Sequence, residues 1–235
     1  MYKEVKKYFH LANIILGIYF ISFVLSFMLT DKLTIIDPSP ITQLPSLQNA
    51  KTSTIFLGIA ITNILGAFIM AALGILFGIS SITYLIKNGA IFGSAFFNTF
   101  EATTLTNTLL AYGPHAIFEI PALILSMTIG VSIGNMVIKE YDKKYKNNKT
   151  MKIVKIIILT MATIALIVPT KYFGDNSRII KALLLVPLFW LMIKATQETK
   201  LFESKEWKKT IFRGLNTFIK IVIPLYIIAA LIEIR

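Results

Sequence analysis

Apolar residues fall in long continuous runs separated by short polar stretches, and the run lengths predict helices that cross a bilayer. The first run predicts a helix over about 10–30, preceded by Lys3, Lys6 and Lys7. The stretch from Asp31 to Thr52 carries Pro38, Pro40 and Pro45 among polar residues, which predicts a loop. A second helix runs from about Ser53 into the low eighties, longer than the roughly 20 residues a bilayer needs. A third apolar stretch follows Lys87-Asn88-Gly89 and ends near Phe100. A long helix then covers about 109–138, followed by helices over about 153–168, 179–193 and 215–232. Between the last two, Lys194 to Arg213 mixes cations with Leu201, Phe202, Trp207 and Phe212, the pattern of an amphipathic segment on a membrane surface.

Charge orients these runs. Cations gather at the N-terminus, at Lys87, from Lys139 to Lys155 and from Lys194 to Arg213. The opposite loops keep Lys32, Lys51, Lys171, Arg178, Lys181 and Arg235. The positive-inside rule then places the N-terminus in the cytosol and gives seven crossings, or six if the second or third stretch does not cross. The basic start followed by an apolar run has the outline of a signal peptide. The run is too long for one and no small-residue cleavage site follows, so a retained first helix is expected. The expectation is an all-α polytopic bundle, one transmembrane domain over 1–235, in a prokaryotic cell membrane. No fixed-period repeat is visible, so nothing in the sequence supports an inverted-repeat transporter.

Composition agrees: 55% of residues are hydrophobic and mean hydropathy is +0.71. Continuous runs argue against a transmembrane barrel, whose strands alternate. The formal charge of +12 lies in short loops beside apolar runs, so the bilayer and membrane or envelope proteins are the expected partners, and nucleic acid is not. Cysteine is absent and His10 and His115 are the only histidines, so no disulfide, metal site or cofactor is expected. No Gly-x-Ser-x-Gly, phosphate-binding loop or HExxH motif occurs, and the aspartates all fall in predicted loops, so no catalytic residue and no enzyme activity are expected.

Three glycine pairs recur at helix-packing spacing: Gly74 with Gly78, Gly89 with Gly93, and Gly130 with Gly134. In lipid, close backbone approach is a main source of helix association, so these pairs predict a tight core of helices two, three and four. Exposed glycine faces also accommodate a homodimer. Asn88-Gly89 is either a helix cap or a break lining a polar cavity. Asn63 and Asn135 are expected to be buried amides that bond between helices.

The rarest chemistry lies at Gly113 to Leu123. His115 and Glu119, four apart, share one helix face, and Pro114 and Pro121 bracket them. Pro121 cannot supply the N–H for the Ile117 carbonyl, which predicts a kink. An ionisable pair inside an apolar helix is either part of the frame or a proton or ion relay, and two ligands are too few for a metal. The predicted topology puts both in the outer half of the membrane.

The run Pro114-His115-Ala116-Ile117-Phe118-Glu119-Ile120-Pro121-Ala122 resembles the Pro-His-Gly-x-x-Glu-x-Pro-Ala signature of the stage II sporulation protein M family. Asn88-Gly89 and Gly93 occupy the family's upstream Asn-Gly place, and Gly130 and Gly134 match its downstream small residues. Ala116 stands where the family has glycine. The likeness covers about 1–140, leaving 141–235 matched by hydropathy alone. It implies a membrane scaffold, since the spore-former member looks like one that holds peptidoglycan-degrading enzymes at a septum. Sporulation itself does not carry over, because the family is far wider than spore formers. The alternative is a transport component, a proton-coupled carrier or the membrane subunit of an ATPase-driven exporter, using Glu119 and His115.

Overall fold

The computed structural model describes residues 2–30, 52–167 and 177–234. The predicted proline-rich loop from Asp31 and the turn after Pro169 lie almost wholly outside the described residues. The described residues form helices α1 (Tyr2–Leu29), α2 (Thr52–Ala72), α3 (Ile79–Ala102), α4 (Leu105–Lys144), α5 (Lys149–Ile167), α6 (Ser177–Thr199), α7 (Lys205–Thr217) and α8 (Ile223–Glu233). Four helical stretches among them are long and apolar enough to cross a membrane: Phe9–Leu29, Ser53–Ile75, Leu105–Lys144 and Lys205–Glu233.

Local chemistry sets several boundaries. Thr104 Oγ1 accepts the Asn107 N–H at 3.2 Å and starts α4. Asn148 Oδ1 takes the Met151 N–H at 3.0 Å at the head of α5, and Ser204 Oγ takes the Trp207 N–H at 3.1 Å at the head of α7. Each side chain satisfies an N–H that has no partner within its helix. Between α7 and α8 the helix widens into a π turn over Phe218–Val222, with Pro224 just beyond. Pro224 has no N–H for the Lys220 carbonyl, and a widened turn is one way a helix absorbs that loss.

Two expected boundaries move. The second helix does not continue into the eighties: α2 ends at Ala72, a 3-10 turn covers Leu73–Ile75, and the chain reverses its φ at Phe77 (59°) and Gly78 (77°) before α3 begins. Gly78 is where a left-handed residue is needed, and glycine takes that conformation without penalty. The expected cap or break at Asn88-Gly89 is absent, because both lie within α3. Gly89 serves a different need, close contact with α1.

The chain divides into two compact units. The first comprises the described parts of Met1–Ile69, Leu85–Ser126 and Thr217–Arg235. In it α1 and the later part of α3 are joined by aromatic rings and backbone contacts. Phe23 meets Phe92 at 5.6 Å and Phe96 at 5.9 Å between centroids, and Phe27 meets Phe97 at 5.4 Å. Ser22 donates to the Ile86 carbonyl at 2.6 Å and Ser26 to the Ala90 carbonyl at 2.7 Å. A Cβ on Gly93 would stand 2.3 Å from the Phe23 carbonyl oxygen, and one on Gly89 2.8 Å from that of Tyr19. This glycine pair therefore faces helix one, where the sequence placed it in a core with helices two and four.

The second unit comprises Met70–Tyr84 and the described parts of Met127–Asn216. Its core gathers Leu76, Phe77, Val137, Tyr141, Leu188, Leu191 and Leu201, and α5 packs along α6. The other two glycine pairs meet here. A Cβ on Gly74 would lie 2.2 Å from the Gly130 carbonyl oxygen, and one on Gly134 would lie 2.1 Å from the Gly78 nitrogen. The 3-10 turn and reversal therefore lie directly on the α4 backbone. Ser81 crosses the break to donate to the Met70 carbonyl at 2.9 Å. The loop after α4 is fastened by an Asp142–Lys155 ion pair, by Tyr141 donating to the Met151 carbonyl at 3.1 Å, and by Tyr145 donating to Glu198.

Candidate functional site

The motif helix α4 is 40 residues long and remains helical through both Pro114 and Pro121. Pro114, Ile117 and Pro121 are exposed, whereas Ala116 and Ala122 are buried. The prolines thus turn their rings outward while the small residues take the inner face, which is why Ala116 fits where the signature has glycine. His115 and Glu119 are both half-buried.

Sharing a helix face does not make these two residues a pair. Glu119 Oε1 accepts from Asn63 Nδ2 of α2 at 3.5 Å, the outer limit for such a bond. Tyr19 of α1 and Glu233 of α8 are within electrostatic reach of the same carboxyl group. His115 instead lies edge-on to Tyr112, with ring centroids 6.1 Å apart. The Tyr112 hydroxyl is 3.1 Å from Thr99 Oγ1, and its ring meets Phe92 at 5.6 Å and Phe96 at 6.0 Å. Among the described residues no hydrogen bond or ion pair joins His115 to Glu119. Glu119 therefore faces α2, and His115 connects through Tyr112 to α3.

Tyr19, Glu233 and Tyr112 were not singled out from the sequence. Tyr19 is 5% exposed within an otherwise apolar run, and a tyrosine there is a signal for a buried polar contact. Asn63 does bond between helices as expected of it. Asn135 does not fit its expectation: it is exposed on α4, one turn before Lys139, at a position turned away from the core. Asn88 and Gly89 are in α3, and Gly89 is on the α1 contact. Among the described residues no group of three His, Cys, Asp or Glu side chains could hold a metal ion.

Neither the curated proteins nor the solved structures yielded a match to this chain. The family model described as stage II sporulation protein M matches residues 9–170, beginning at α1 and running through the motif helix and α5. The match extends some way beyond the stretch about 1–140 over which the motif resemblance was read. Covering more than half of the 235 residues, it shows that the chain belongs to the stage II sporulation protein M family.

Proposed function

We propose that this protein is a non-enzymatic scaffold or assembly subunit in a prokaryotic cell membrane, with its N-terminus in the cytosol and seven crossings. The observation that carries the reading is how the motif is used. Glu119 is engaged by Asn63 of α2, and His115 abuts Tyr112, which is held by Thr99 of α3. Glu119 ties α4 to α2, and His115 packs on the Tyr112 that ties α4 to α3, which is what a frame for other proteins needs. The basic stretches from Lys139 to Lys155 and from Lys194 to Arg213 offer partners a charged cytosolic face.

One observation favours a second reading, a transport component. Glu119 has Glu233 within electrostatic reach, and two interacting carboxylates in a bundle are the kind of arrangement that proton and ion pathways use. In that case the basic stretches would seat a cytosolic ATPase, or the chain would act alone as a proton-coupled carrier.

Glu119→Gln and Glu119→Ala separate the two. On the scaffold reading Glu119→Ala lowers the melting temperature in mild detergent, and Glu119→Gln, which keeps an acceptor for Asn63, loses less. Proteoliposomes made with either variant would show the same proton leak as the parent. Unchanged melts combined with loss of flux would overturn the scaffold reading in favour of transport.

A further inference from the structure

Phe212 is 75% exposed, the highest value among the large hydrophobic side chains described, and it stands on the most cationic of the described helices. The rotation of α7 is fixed from behind. Gly214 is buried, and a Cβ there would come within 2.8 Å of Ile129 Cγ2 of α4. Trp207 and Ile211 are half-buried on that same inner side. The remaining face is exposed and carries the row Lys205, Lys208, Phe212 and Leu215, with Lys209 and Asn216 beside it. Phe202, just before α7, is 53% exposed and meets the Trp207 ring edge-on at 5.2 Å. From Lys200 to Arg213 there are five cations, Lys200, Lys205, Lys208, Lys209 and Arg213, against Glu203 and Glu206.

A water-facing surface has no use for a bare phenylalanine between two lysines, and a hydrocarbon-facing one has no place for the lysines. The headgroup layer suits both, with rings reaching the acyl boundary and ammonium groups among the phosphates. Length is compatible with α7 at that depth. The stretch Lys205–Glu233 is 29 residues, or roughly 44 Å at the rise of an α-helix. That exceeds the hydrocarbon layer of about 30 Å, so the stretch tilts, bends or projects, and its cations gather at the α7 end. Trp190 of the same unit is exposed, with Lys194 Nζ 5.1 Å from its ring centroid. Tryptophan favours that interface.

We propose that the exposed row Lys205, Lys208 and Phe212 of α7, together with Phe202, forms a binding seat for the headgroups of anionic phospholipids. The lysines take the lipid phosphates while the two phenyl rings enter the acyl boundary. The occupant is the bilayer, because α7 runs directly into a stretch apolar enough to span it. A surface lysine favours an anionic leaflet on the order of fivefold, and screening by salt holds the combined effect of the two to a several-fold enrichment of anionic lipid around the helix.

The test uses the full chain with Trp190→Phe, leaving Trp207 as its only tryptophan. It is reconstituted in phosphatidylcholine vesicles containing a small fraction of brominated phosphatidylglycerol, or of brominated phosphatidylcholine as reference. Trp207 fluorescence is expected to be quenched several-fold more by the anionic lipid. The preference should vanish in Lys205→Gln/Lys208→Gln, persist in Lys205→Arg/Lys208→Arg, and weaken in Phe212→Ser. Melting temperature confirms that the surface variants fold. Equal quenching by the two lipids, or a preference untouched by the double glutamine variant, overturns the proposal. So does abolition of the preference by inorganic phosphate at matched ionic strength, which would mark the site as one for free phosphate. If there is no lipid preference and the glutamine variant instead loses a co-purifying soluble protein, the surface docks protein and the proposal is wrong.

Discussion

Replacing Gly134 by alanine tests the glycine contact that holds the broken segment after α2 to the motif helix. The new methyl carbon would lie 2.1 Å from the Gly78 nitrogen, 2.4 Å from the Phe77 carbonyl carbon and 2.5 Å from the Gly78 Cα. Ordinary contact begins at 3.4 Å, so the two backbones must part by more than 1 Å. All three obstacles are main chain, and no rotamer change relieves them. Overpacking a tight site costs about 1–3 kcal/mol, and a purely backbone clash belongs at the upper end. Alanine returns roughly 0.5–1 kcal/mol in helix preference. The net expectation is a loss of about 2 kcal/mol, taking the upper overpacking figure less the helix gain.

Gly58→Ala is the control. It lies in α2 with nothing within 4 Å of the added carbon, so only the helix preference acts and the variant should be as stable as the parent or slightly more so. Stability would be read from dodecyl sulfate unfolding of protein purified in mild detergent, with a thermal melt beside it. The reasoning is refuted if Gly134→Ala unfolds with the parent, or if Gly58→Ala loses as much as Gly134→Ala does.

Gly93→Ala, whose methyl would stand 2.3 Å from the Phe23 carbonyl oxygen, should destabilise by a similar 1–3 kcal/mol, read by the same unfolding assay. Asn63→Ala removes one long hydrogen bond to Glu119 and should cost only about 0.6 kcal/mol, the usual scale for polar pairs in membranes. A double cycle with Glu119→Ala measures that coupling directly. Tyr145 lies just past α4, and burial, followed by its hydrogen bond to Glu198, holds its phenol above the ordinary value of 10.0. The folded chain therefore keeps this proton more tightly than the unfolded chain. Its contribution is fully present below pH 10.0 and fades as pH rises further. Melts taken across that alkaline range should fall more steeply for the parent than for Tyr145→Phe; parallel curves would contradict the assignment.

The sequence carried the helical class clearly, because long apolar runs in a cysteine-free chain leave few other solutions. Gly89 with Gly93 and Gly130 with Gly134 were equally readable, since a spacing of four selects one helix face, whereas Gly74 and Gly78 lie in the break between α2 and α3. What spacing does not give is the partner. Gly89 and Gly93 face α1, while Gly74 and Gly78 face Gly130 and Gly134. The break before α3 was misplaced for a physical reason. Lys87-Asn88-Gly89 has the composition of a helix end, whereas the actual reversal at Leu76-Phe77-Gly78 is apolar and lies against the α4 backbone. At that reversal Gly78 supplies the left-handed conformation and the α4 backbone packs against it. The i, i+4 spacing of His115 and Glu119 located the motif but implied a mutual pair. Glu119 instead meets Asn63, far away in sequence, while His115 meets Tyr112 of its own helix, whose hydroxyl reaches Thr99 of α3. The last helix was read as starting at Leu215, yet α7 leads into it without a gap, because the π turn carries the helix to Pro224.

The central claim is that the motif helix is the frame of a scaffold. Its most direct test is to purify the tagged chain from its native membranes in mild detergent and identify what accompanies it by mass spectrometry. The account predicts membrane or envelope proteins, or a second copy of the chain, at a constant ratio that Gly134→Ala lowers in step with stability. A stoichiometric cytosolic ATPase, together with ATP-dependent flux that Glu119→Gln abolishes without shifting the melt, would contradict it.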